Sequence, residues 1–82
     1  MSHIGHKTEG LAEGRYPFVE FQIKGIKKTD KRIVVQQNRE QVWYIYDVTP
    51  GAVVSIGFSY NKDRAIRKAR EYIKRYNWEA YQ

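Results

Sequence analysis

Cysteine is absent from the 82 residues, and proline and histidine occur twice each. Without cysteine, neither a disulfide nor a thiolate zinc site can reinforce the fold. No apolar run approaches the roughly 20 residues that cross a bilayer, and the amino end has no hydrophobic signal region. These absences predict a soluble, cytoplasmic protein with no membrane partner. Both histidines, His3 and His6, stand near the amino end, and the acids are scattered singly among basic residues. Gly51 and Gly57 do not form a phosphate-cradling loop. The sequence therefore predicts no catalytic residue, no metal, no cofactor and no enzymatic activity.

A chain of this length holds one domain. Residues 1–14 are rich in glycine and polar side chains, with only Ile4 and Leu11 as large apolar residues. Burial there does not offset ordering entropy, which predicts a flexible tail preceding one domain over 15–82. The twelve aromatic residues are the main source of apolar surface for so small a core.

Residues 16–26 alternate with period two: Val19, Phe21 and Ile23 face one way, and Glu20, Gln22 and Lys24 the other. Gly25 breaks the alternation, and the charged stretch 27–31 reads as a turn. A second strand is predicted over 32–37, where Ile33, Val34 and Val35 follow one another, and 38–40 is the next turn. A third, over 42–48, is apolar on both faces and reads as central in the sheet. Thr49-Pro50-Gly51-Ala52 has the proline and glycine of a type II turn, and 53–58 is the fourth strand. Each connection is too short for a parallel crossover. The glutamate Glu20 reads as solvent-facing and Asp47 as a strand-end residue.

From 62 to 75, seven residues are basic and two acidic, while Ala65, Ile66, Ala69, Tyr72, Ile73 and Tyr76 recur at helical spacing. Ser59 or Asn61 is placed to cap the helix, Asp63 lies in its first turn, and Asn77 marks its end. Asp63–Arg67 and Glu71–Arg75 are spaced as i,i+4 pairs. The predicted fold is α+β: a four-stranded antiparallel β-meander packed against one C-terminal α-helix. Trp78 and Tyr81 are placed to fold back over a core edge.

The helix carries net +5 of a total of +6, so the other 68 residues are nearly neutral. A cationic face is complementary to a polyanion. Arg64, Arg67, Lys68, Arg70, Lys74 and Arg75 are the candidate phosphate contacts, guanidinium being able to grip phosphate through two hydrogen bonds. The sheet face away from the helix is the second candidate surface. It is expected to carry Tyr44 and Tyr46 beside basic and amide side chains, with Trp43, Ile45, Ile56 and Phe58 turned toward the helix. A one-residue slip in register would exchange the two faces. Aromatic rings among basic groups suit base stacking. Duplex DNA, single-stranded DNA and RNA all remain open. The competing class is a protein–protein module, such as a phage-type regulator or homodimer subunit, whose basic helix meets an acidic protein partner.

The strand sequence Trp43-Tyr44-Ile45-Tyr46, the pair Gly57-Phe58 and the helix opening Asn61-Lys62-Asp63-Arg64-Ala65 resemble the small sheet-plus-helix domains of phage and transposon integrases that bind arm-type DNA sites. They are also similar to short bacterial and phage domains of the same plan. The resemblance covers less than half of the chain. It implies a three-stranded sheet entering the major groove, with contacts from Arg32, Tyr44 and Tyr46. The strand over 16–26 and the strongly basic helix depart from that pattern.

Overall fold

The computed structural model describes residues 16–81. The tail expected over 1–14, with His3 and His6, lies outside the described residues. Five strands and one helix follow in order: β1 (Phe18–Ile23), β2 (Arg32–Gln37), β3 (Trp43–Thr49), β4 (Ala52–Ser59), α1 (Lys62–Arg75) and β5 (Ala80–Tyr81). The sheet is antiparallel throughout, in the order β4-β3-β2-β1-β5. The predicted meander packed on one helix is therefore present. To it the chain adds β5, a two-residue strand that pairs with the outer edge of β1. That addition makes β2, not β3, the middle strand. Ile33, Val34 and Val35 of β2 have no accessible surface, because both of its faces and both of its edges are covered.

The turns follow from local chemistry. Gly25 and Gly51 take positive φ angles of 85° and 78°, where a side chain would be strained. Between β2 and β3, the Asn38 side chain accepts hydrogen bonds from the backbone N–H groups of Glu40 and Val42, which holds Gln41 at a positive φ. Asn61 caps the helix: its side chain accepts from Arg64 N–H at 3.0 Å. At the other end Asn77 adopts a left-handed conformation (φ 59°), and the amides of Asn77 and Trp78 donate to Lys74 and Ile73. These are the paired bonds of a Schellman motif, with asparagine in the place glycine commonly takes.

The helix packs on one sheet face over β2, β3 and β4, and runs along β3: Lys62 lies over Trp43 at the start of that strand and Tyr72 reaches Asp47 near its end. Ala65, Ala69 and Ile73 are buried against Phe21, Ile23, Ile33, Val35, Trp43 and Ile45. Two alanines at the contact let the helix lie close to the sheet, so the larger strand side chains fill the core. Burying each large apolar side chain stabilises the fold by about 1.5–3 kcal/mol relative to exposure. Trp78 packs against the edge of this core, as expected, whereas Tyr81 on β5 is exposed.

Asp47 departs from its expected role as a simple strand-end residue. It lies on the helix side, where the Tyr72 hydroxyl donates to one carboxylate oxygen and the Lys31 ammonium to the other, both at 2.6 Å. One carboxylate thus ties β3, the turn before β2 and the helix together. Burial raises the Tyr72 pKa well above its ordinary value, and the Asp47 hydrogen bond and charge raise it further. Glu20 is not the solvent-facing residue its alternation suggested. It is largely covered, 3.4 Å from the Lys28 ammonium and 3.6 Å from the Arg32 guanidinium. The Lys28 contact is close enough for charge attraction but leaves Glu20 Oε2 without an aligned hydrogen bond.

Candidate nucleic-acid interface

Two surfaces bear the candidate residues, and the sheet separates them. The first is the outer side of α1. Arg64, Lys68 and Arg75 succeed one another at i, i+4 and i+11; Arg67, Arg70 and Lys74 do so at i, i+3 and i+7. The two rows flank the buried alanine stripe, and all six residues are exposed. Among the described residues the ion pairs are Lys24–Glu79, Lys28–Glu20, Lys31–Asp47 and Arg32–Glu20. None involves Arg64, Arg67, Lys68, Lys74 or Arg75. The i,i+4 pairs expected between Asp63 and Arg67 and between Glu71 and Arg75 do not close, since solvent screening leaves exposed pairs little to gain. Arg70 lies over the Phe21 ring, 5.6 Å from its centroid, and Lys62 lies over Trp43 at the same distance. Lys24, Lys28 and Lys31 in the turn after β1 and Arg32 on β2 each face a carboxylate, whereas Lys27, Arg39 and the helix cations Arg64, Arg67, Lys68, Lys74 and Arg75 enter no ion pair among the described residues.

The second surface is the sheet face opposite the helix. Strand pairing places Tyr44 beside Gln36 and Phe58, Tyr46 beside Val34 and Ser55, and Arg32 beside Gln22 and Val48. Phe58 is thus not on the helix side, where it was expected. A bulge in β4 shifts the register between Ile45 and Tyr46. Ile45 pairs with Gly57 and Tyr46 with Ser55, so the intervening Ile56 packs on the core while Phe58 turns to the open face. The extra residue of a bulge reverses which face the following side chains occupy. Tyr46 is on the expected face but is only 8% exposed, and burial followed by the neighbouring Tyr44 raises its pKa. Arg32 faces Glu20.

The rings on this face form a continuous run. Tyr46 and Tyr44 are stacked with centroids 6.1 Å apart, Tyr44 and Phe58 are 5.8 Å apart, and Phe58 meets Tyr60 edge-on at 6.0 Å. Phe58 is 49% exposed and Tyr60 78%. Tyr60 stands in the turn that leads into α1, so the run ends at the corner where the helix begins. There the Lys68 ammonium donates to the Phe58 carbonyl at 3.1 Å. Sequence reasoning passes over Tyr60 and misplaces Phe58. Their i,i+2 spacing is visible in the chain, whereas the bulge that aims Phe58 is not.

Among the described residues no helix is long and apolar enough to cross a membrane, and no cluster of potential ligands could hold a metal. Comparison of the chain with protein families, with curated proteins and with solved structures finds no significant match.

Proposed function

We propose that this chain is a non-enzymatic nucleic-acid-binding domain whose α1 cations hold the phosphate backbone. The observation that carries the reading is the clustering, on one helix, of cations without an ion pair among the described residues. Arg64, Arg67, Lys68, Lys74 and Arg75 have no carboxylate partner there, while Lys24, Lys28, Lys31 and Arg32 each face one. A face evolved for solubility alone mixes signs; this one carries seven basic and two acidic residues. Binding to phosphate would release condensed counterions, an attraction that requires no sequence match and falls steeply with salt.

The test is a salt titration of labelled duplex DNA, single-stranded DNA and RNA with the whole chain. Binding is expected at ~50 mM salt, weakening linearly on a log–log plot. The double variant Arg64→Glu, Arg67→Glu should bind more weakly and show a shallower slope, by about 0.7–0.9 for each phosphate no longer neutralised. Failure of all three polymers to bind at ~50 mM salt, a condition that favours such binding, would turn the reading to an acidic protein partner for the same helix.

A further inference from the structure

We infer that the nucleic acid is single-stranded and turns around the β4 edge, with bases on Tyr44, Phe58 and Tyr60 and phosphates on Lys62, Arg64 and Lys68. The inference rests on the nucleic-acid reading and narrows it. The cationic helix lies on one sheet face and the aromatic run covers the other, so a stiff duplex lying against either surface leaves the other unused. Tyr60 and the start of α1 join the two surfaces at a single corner. The Lys68–Phe58 hydrogen bond shows how closely they meet: a helix cation touches the backbone that carries an exposed ring. A flexible strand can follow that corner.

Ring spacing points the same way. Centroids 5.8 and 6.0 Å apart exceed the rise of about 3.4 Å per nucleotide in a stacked duplex strand. Each ring therefore suits a base separated from its neighbours, as in single strands spread over aromatic side chains. A duplex entering through the open face would meet Arg32 already facing Glu20, and Tyr46 largely buried. The accessible platform is thus Tyr44, Phe58 and Tyr60, enough for three bases.

The experiment measures binding of the whole chain to labelled oligothymidylate and to a duplex of equal length at the same salt. The single strand should bind more tightly. Phe58→Ala and Tyr60→Ala should each weaken that binding by about 5- to 150-fold, the range for one stacked base, without changing the salt slope. Tyr60→Phe keeps the ring and should keep the affinity. Circular dichroism of each variant separates lost stacking from lost fold; Tyr60, well outside the core, is the safer of the two positions. Equal or tighter duplex binding, or unchanged single-strand affinity in the folded Tyr60→Ala variant, would overturn the inference and leave the charge-reversal effect at Arg64 and Arg67 standing. No binding of either polymer at ~50 mM salt would overturn both.

Discussion

Asp47 and Tyr72 are 25 positions apart in the chain, and a 2.6 Å hydrogen bond joins them across the sheet–helix boundary. The bond holds the tyrosine in its neutral form, and its raised pKa has a consequence for stability. The unfolded tyrosine loses its proton near pH 10. Its folded counterpart retains the proton to higher pH, so the folded state is favoured below about pH 10 and loses that advantage as pH rises through the folded pKa. Tyr46, also raised, acts in the same direction. Alkaline denaturation should therefore steepen above about pH 10, and two tyrosines should ionise late in an absorbance titration of the phenolates. Tyr72→Phe should flatten the alkaline fall while lowering stability at neutral pH by about 1.5–3 kcal/mol, the usual worth of a hydrogen bond to a charged acceptor. A neutral-pH stability equal to that of the parent chain would show that the Asp47 hydrogen bond contributes nothing.

At the level of elements, α1 is set by its ends as much as by its buried stripe. Ala65 and Ala69 bury little area, Ile73 is buried with Ile66 and Tyr72 packed beside it, and the caps at both ends add to that packing. Asn61→Ala removes the acceptor for Arg64 N–H and should cost about 1 kcal/mol, read as a lower midpoint in urea unfolding with an unchanged slope. A changed slope would mean that the denatured state, not the cap, was altered. The helix is legible in the sequence because cap, stripe and terminal asparagine agree locally. Strands β1 to β4 are legible for the same reason: period-two alternation and turn residues lie within a few positions of one another. The strand β5 is not. Two residues have no periodicity, and Ala80–Tyr81 becomes a strand only because the helix delivers it to the open edge of β1.

For the whole molecule, the uneven distribution of charge dominates. A net +5 on fourteen residues, with no ion pair closing Asp63 to Arg67 or Glu71 to Arg75, repels itself in the absence of a ligand. Salt screens that repulsion over a Debye length of about 10 Å at 0.1 M. Thermal unfolding of the free chain should therefore shift upward between low and moderate salt, and a bound polyanion should shift it further by mass action. A midpoint that falls with salt would mean that the attractive pairs of the sheet, Lys31–Asp47 foremost, outweigh the helix repulsion.

Composition and spacing alone determined the helix, its cationic outer rows, the four main strands and the chemical class of ligand worth testing. These rest on interactions between near neighbours in the chain, whose geometry the local pattern already implies. Only tertiary pairing decided that Phe58 leaves the core for the open face, that Tyr46 is covered, that Arg32 and Glu20 meet, and that Tyr60 stands where the aromatic run reaches the helix. One inserted residue in β4 controls the first of these, because pleating sends successive side chains to opposite faces and a bulge resets the count. That reset depends on how β4 fits β3: Gly57, an isolated glycine inside the strand, marks a bulge-prone position beside it, but which residue is inserted is a long-range match.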